Sequence, residues 1–335
     1  MNVLVRRTPK TPSALLAALF ASALVSATLC HAQTTVTTDP VGYNTLTLPA
    51  GNSVRVNTFV QAKAFQGVAS SITSASDSVI TISGTSGLTS GTFNEGSSGP
   101  TYYLGVLSSG SGQGLIADVI ASDTSTITVA ANLPAFGVSG TTSFCIRPHT
   151  TLTSLLPAST TGLTPYVDTI KLFFPNNTNK SYLFTGSGSG WIDAGLGTDS
   201  GSQVIYPGQG FIITVQSAKS VPIFGSVKAG PTLIPLYVGS LNLVGNINPG
   251  ASGTQTLANF NFPAVFTPYV DGVKLFNDDG SLQSPGSYLS SGTSMINAGT
   301  GSPSDVVQVA LSNAVIVSVG QSKNWLMPSF YTSGQ

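Results

Sequence analysis

The residues that could do chemistry are few. The chain has 335 residues but only two histidines and two cysteines, and His31 and Cys30 fall in an N-terminal segment that reads as removable. His149, in "RPHTT", is therefore the one imidazole left for a Ser-His-Asp hydrolase, in which it would take the nucleophile's proton. No Gly-x-Ser-x-Gly elbow accompanies it. Cys145, in "SFCIRP", is the one remaining thiol, which excludes an intramolecular disulfide and a thiolate metal cluster. Its neighbours Phe144 and Ile146 suit a small buried strand residue, with an intermolecular disulfide as the alternative. Carboxylates are the other resource. A glycosidase holds two at a fixed distance, and Asp118, Asp123, Asp168, Asp193, Asp271 and Glu95 are the candidates, with no pair set apart by spacing. No catalytic residue, cofactor or metal ligand follows from these positions. "NDDGS" (277–281) is dense in oxygen but lacks the EF-hand spacing, and Asp279-Gly280 is a hairpin signal. The glycine-rich stretches at 110–114 and 186–190 do not open a helix, as a phosphate cradle must, and read as loops. Trp191, Trp325 and Tyr206, with Tyr102 and Tyr103, are candidates for a sugar-stacking surface, against the ordinary use of such rings as core or cross-strand partners.

The carboxylates at 168 and 271 belong to a repeat. "TPYVDTIKLF" (164–173) and "TPYVDGVKLF" (267–276) agree at eight of ten positions. Downstream, "SYLF" (181–184) matches "SYLS" (287–290), "GWIDAG" (190–195) matches "SMINAG" (294–299), and "GFIITV" (210–215) matches "AVIVSV" (314–319). Lys219 corresponds to Lys323, and Thr151-Leu152 to Thr256-Leu257, at offsets of 103 to 106. These matches predict two copies, 151–230 and 231–335, packed as one pseudo-symmetric domain. Pro165, Tyr166, Asp168 and Lys171, with Pro268, Tyr269, Asp271 and Lys274, define the repeat. Its apolar residues, Val167/Val270, Leu172/Leu275 and Phe173/Phe276 included, are expected to fill a core and fix where a strand begins. The aspartates are expected to accept nearby backbone amides, and the lysines three positions on to face the other way. Asp193 is replaced by Asn297 in copy two, which suits a turn residue better than an acid catalyst.

Short apolar runs between Gly/Ser/Pro clusters must position these residues, and that is the pattern of many strands joined by turns. In 77–83, 101–107, 114–120 and 124–130 apolar residues recur at every second position or form short runs; Ile80 and Ile82 share a face, as do Ile127 and Val129. Residues 33–150 read as a mostly antiparallel β domain, barrel- or sandwich-like, and the whole chain as all-β. Helical signals are confined to "TTLTSLLP" (150–157), good for one or two turns, and the similar "TQTLANFNFP" (254–263).

Residues 1–32 have the form of a signal peptide: Arg6, Arg7 and Lys10, an uncharged apolar run from Ala14 to Leu29, then Cys30-His31-Ala32, with a cut expected between Ala32 and Gln33. The apolar run is short for a membrane span, and no later stretch is longer. Removing three of twelve basic residues leaves nine against twelve acidic ones, a net charge of −3. That balance excludes the concentrated basic surface that nucleic-acid binding needs.

"TDPVGYNTLTLPAG" (38–51), "AFQGVASSI" (64–72), "TYYLGVLSSGSGQGLIADVIASDTSTITV" (101–129), "FCIRPHTTLTSLLP" (144–157), "GWIDAG" and "PGQGFII" (207–213) resemble a family of secreted, paralogous bacterial β-rich proteins with no assigned activity. The resemblance spans most of the chain after residue 32 and implies export and the order of domains, but no catalytic residue. Copy two departs from it at "VALSNAVIV" (309–317), which lacks the Pro-Gly-x-Gly-Phe turn. The expected function is that of an exported, non-enzymatic structural or interaction protein of the envelope or extracellular matrix, with self-association or a surface glycan as its partner. The alternatives are a carbohydrate-binding module and, third, a glycan-acting hydrolase.

Overall fold

The structure is a computed structural model that describes residues 39–82, 87–247, 255–310 and 312–329; the expected signal peptide lies outside them. The chain begins with β1 (Val41–Leu48) and β2 (Gly51–Val56). Six strands then close a barrel: β3 (Phe65–Ile72), β4 (Ser78–Ile82), β5 (Tyr102–Val106), β6 (Ile116–Ser122), β7 (Thr126–Val129) and β8 (Ser143–Pro148), in the order β3-β4-β7-β6-β5-β8. All neighbours are antiparallel. The expected alternation is real in β4 and β7, where Ile80, Ile82, Ile127 and Val129 point into the barrel core. Closure leaves these six short strands without edges.

After the barrel come β9 (Thr150–Thr151), the one-turn helix α1 (Leu152–Leu155), β10 (Thr169–Phe174), β11 (Thr178–Phe184), β12 (Trp191–Asp193), β13 (Val204–Ile205), β14 (Gly210–Val215) and β15 (Lys219–Ser226). Thr151 and Ser154 form a reciprocal capping box that holds α1 despite its length. The rest is β16 (Thr232–Leu236), β17 (Asn242–Gly245), β18 (Gly272–Phe276), β19 (Leu282–Ser290), β20 (Met295–Asn297), β21 (Ala314–Ser318) and β22 (Lys323–Met327). Two five-stranded sheets result, β12-β11-β10-β14-β2 and β20-β19-β18-β21-β17, with two ribbons, β1-β15 and β16-β22.

The two sheets match strand for strand, which corrects the expected boundary at residue 150. β2 completes the first sheet as β17 completes the second, and β1 pairs with β15 as β16 pairs with β22. Leu48 opposite Lys219 corresponds to Leu236 opposite Lys323. Copy one is therefore split, with its first two strands upstream of the barrel and the barrel inserted between β2 and β9. Copy two is continuous.

The copies meet around a small shared cluster of Val54, Val56, Leu243 and Ala314, flanked by Phe173, Ile212, Phe276 and Ile316. The contacts are reciprocal. Arg55 bridges to Asn313 in copy two, and the corresponding pair, Val244 and Gln209, forms the mirror bridge. Small residues sit against large ones: a Cβ on Gly210 would lie 2.6 Å from Ala314 Cβ, and one on Gly245 would lie 2.7 Å from Val56 Cγ1. Each glycine lets the other copy's backbone approach.

Candidate functional site

The repeated phrase builds a clasp twice. Asp168 Oδ2 accepts the Thr164 amide at 2.7 Å and Oδ1 accepts the Gln216 amide at 2.8 Å. Asp271 Oδ2 accepts Thr267 N at 2.7 Å and Oδ1 accepts Gly320 N at 2.7 Å. Each carboxylate is fully buried and ties the start of a central strand to the chain after the neighbouring strand. The lysines at offset 104 differ: Lys219 reaches the Thr164 hydroxyl at 3.4 Å, whereas Lys323 forms an ion pair with Asp271 and also bonds Thr267 Oγ1 at 3.1 Å. Burial would push the Asp271 carboxyl up, but Lys323 and the amides of Gly320 and Thr267 outweigh it and hold it below the usual carboxylate range. Lys171 and Lys274 stand on the exposed face of their strands.

Other parts of the phrase behave differently from the sequence reading. Leu172 and Leu275 are buried, but Tyr166 is 67% and Tyr269 69% exposed, and Val167 and Val270 are exposed beside them. Both tyrosines have left-handed backbone, φ 60° and 58°, a conformation that side chains with a Cβ seldom take. Their amides donate to Phe184 O and Ser290 O at 2.7 Å, which holds the turn. Pro165 and Pro268 lie over Gly186 and Gly292, where a Cβ would come within 2.7 Å and 3.1 Å of the proline ring. The expected core residues Tyr and Val are thus a surface knuckle, because the Asp needs the preceding turn folded back on itself.

Trp191 and Trp325 are not stacking surfaces: both are 0% exposed. Trp191 Nε1 donates to Leu156 O at 3.1 Å, and Trp325 Nε1 to Phe260 O at 3.0 Å. The accepting carbonyls correspond at offset 104, yet the tryptophans come from different strands, β12 and β22. Met295 takes the place of Trp191 in copy two, and Val221 the place of Trp325 in copy one. Asp193 Oδ1 accepts the amides of Gly195 and Leu196, and Asn297 Oδ1 those of Gly299 and Thr300, so both are turn residues. Gly208 has φ 81°, and Ser312, 104 residues on, keeps φ 65° although the glycine is gone. In "NDDGS", Ser281 donates to Asp279 Oδ1 and Arg55 reaches Asp278 at 3.0 Å across a β18–β19 hairpin.

Tyr206 is 38% exposed. Its hydroxyl donates to Asp118 Oδ2 at 2.8 Å, and His149 Nε2 lies 3.0 Å from Oδ1 of the same carboxylate. Burial first, and the Asp118 carboxylate second, push the Tyr206 phenol up. His149 is enclosed between the rings of Tyr103 and Tyr206, at 5.1 and 5.2 Å. This cluster fastens the barrel to copy one. Beside it runs a groove of about 490 Å³ bordered by Tyr206, Tyr237, Phe173, Phe174 and Leu233. No family model, curated protein or solved structure matches the chain.

An exposed apolar feature among the described residues is the β1-β15 ribbon. Tyr43 and Phe224 are cross-strand partners and 70% and 73% exposed, and Val41 is 81% exposed. The outer face carries Val41, Tyr43, Thr45 and Thr47 from β1 and Ser220, Pro222 and Phe224 from β15, with no charge. β1 has no strand partner besides β15 among the described residues.

Proposed function

We propose that the protein is an exported, non-enzymatic interaction protein that assembles with further copies of itself through the outer face of the β1-β15 ribbon. The observation that carries the reading is the contrast with the matching ribbon in copy two, which meets the barrel at Leu233 while Leu326 opposite it is 37% exposed. There Leu233, the counterpart of Thr45, packs on the barrel core, and its amide donates to Gly114 O at 2.9 Å. In copy one the face is longer, uncharged and open. An isologous contact buries the same patch on both copies, so an uncharged face meets itself without like-charge repulsion. The eight-residue β1 lacks the lysines and prolines that blunt exposed edges. Burial of His149 in the barrel–copy one tie, and use of the repeated aspartates as backbone clasps, favour a role without catalysis. Export rests on the form of residues 1–32. Among the described residues no helix is long and apolar enough to cross a membrane, which leaves strand-based insertion untouched.

A glycan-binding reading is second and rests on the groove, where Tyr206 and Tyr237 remain part-exposed. Fractionation of the producing cells followed by native-gel sizing tests the first reading. A processed chain outside the cytoplasm, running as a dimer or larger, is expected. A processed monomer with saturable polysaccharide binding lost in Tyr206→Ala would move the function to the groove.

A further inference from the structure

A second cavity, of about 300 Å³, lies where β5 and β8 of the barrel meet the link between β15 and β16, and it is lined by Asp39, Lys63, Tyr103, Cys145, Arg147 and Lys228 among others. Three of these are cations and one is a carboxylate, so the lining carries a net charge of +2. Asp39 is shared: its Oδ1 takes Lys63 at 2.9 Å and its Oδ2 takes Arg147 at 2.5 Å. Arg147 also donates to Gln61 O at 2.6 Å. Lys228 is the cation without an acidic partner. It is 8% exposed, and its ammonium donates to the carbonyls of Gly230 at 3.2 Å and Pro231 at 2.5 Å, with no carboxylate within salt-bridge reach among the described residues. Tyr103 is 1% exposed, and its hydroxyl is buried with no hydrogen-bond partner.

Both arrangements are costly in isolation. A buried ammonium is tolerated when a counter-charge sits near it, and buried hydroxyls are nearly always bonded. Burial draws the Lys228 ammonium down to about 8, with the Cys145 thiol opposing and Arg147 adding to that effect. One occupant answers both defects, because an oxyanion supplies negative charge to Lys228 and Arg147 and accepts a hydrogen bond from the Tyr103 hydroxyl.

We propose that this cavity is a binding site for a small oxyanion, a carboxylate or a phosphate, held by Lys228, Arg147 and the Tyr103 hydroxyl. The site does not depend on self-association, since its lining lies within one chain.

Calorimetric titration and thermal melting of the full chain with inorganic phosphate, sulfate and succinate, at constant ionic strength set by sodium chloride, test it. Saturable binding of at least one of these anions near one equivalent, with a rise in melting temperature, is expected. Tyr103→Phe removes one oxygen and should weaken binding about tenfold; Lys228→Gln should weaken it further. Lys180→Gln, an exposed lysine elsewhere, should leave it unchanged. No binding by the folded wild type up to about 100 mM, far above the millimolar affinity worth roughly 4 kcal/mol, would overturn the proposal. Equal binding by wild type and a folded Tyr103→Phe protein would overturn it as well. If Lys228→Gln does not fold, the Tyr103→Phe comparison decides alone.

Discussion

In copy two the ribbon's outer face touches the barrel at Leu233, while Leu326 opposite it and Pro235 stay exposed; in copy one the corresponding face ends in solvent at Val41, Tyr43 and Phe224. The same two-stranded element thus has an internal partner in one copy and none in the other. The difference follows from where the barrel is inserted. It leaves copy one after β2 and returns at β9, and it touches copy two's ribbon on the outer face at Leu233 but meets copy one's ribbon at its end, where Asp39 bonds Arg147. Two corresponding faces result, and the barrel touches one of them, at Leu233. A second comparison concerns the interior. Each copy needs one indole to bond the carbonyl at Leu156 or Phe260, and each supplies it from a different strand. The pairs Trp191/Val221 and Met295/Trp325 fill equivalent space with the large residue on opposite sides.

The interior comparison carries the largest expected effects. Trp191→Ala and Trp325→Ala should each cost about 4 kcal/mol, as buried aromatic truncations do. Denaturant unfolding should show losses of similar size; a marginal effect for either would break the equivalence. Trp191→Met should be partly rescued by Val221→Trp, which rebuilds copy two's arrangement in copy one. Recovery of at least about 1 kcal/mol relative to the single variant is the coupling expected for neighbours.

The clasps should differ by the lysine. Asp271→Asn strands a charged Lys323 and should cost about 3 kcal/mol, whereas Asp168→Asn loses mainly amide hydrogen bonds and should cost about 1.5 kcal/mol. Because the fold holds the Asp271 carboxyl below its ordinary value, the stability it adds is complete above the unfolded value near ~4. That stability is lost as pH falls through the lowered folded value, since the unfolded chain binds the proton first. Acid titration of stability should therefore be shallower in Asp271→Asn than in the wild type. Smaller still, Ser312→Gly should change stability by less than about 1 kcal/mol, because relief of the left-handed backbone is offset by loss of the hydrogen bond that Ser312 Oγ accepts from Asn44 at 2.7 Å. The reverse change, Gly208→Ser, should destabilise copy one by more, because its Cβ would lie 2.6 Å from Ile234.

Much of this was legible in the sequence. The repeat, the all-β class and the turn role of Asp193/Asn297 follow from spacing and substitution alone, and Lys219/Lys323 stood out at a constant offset. The split of copy one was not legible, because β1 and β2 share almost no identities with β16 and β17; only strand pairing relates them. Tyr166 and Tyr269 look like core residues by type, and their exposure depends on a left-handed turn that composition does not signal. The tryptophans drew attention as rings, but burial is decided by which face of β12 or β22 meets the helical turns. The paired defects at Tyr103 and Lys228 lie more than a hundred residues apart and become a site only when the chain after β15 crosses the barrel.

The account rests most on the open ribbon. Sedimentation velocity of residues 33–335 over a range of concentrations, for wild type and for Tyr43→Lys/Phe224→Lys, tests it directly. The expected result is a reversible dimer or larger species in the wild type and a folded monomer in the double variant, since each copy would bring two lysines into the same buried patch. A wild type that stays monomeric to about 100 μM, where contacts with micromolar affinity of roughly −8 kcal/mol would be saturated, would contradict the account. So would a dimer that the double variant leaves intact.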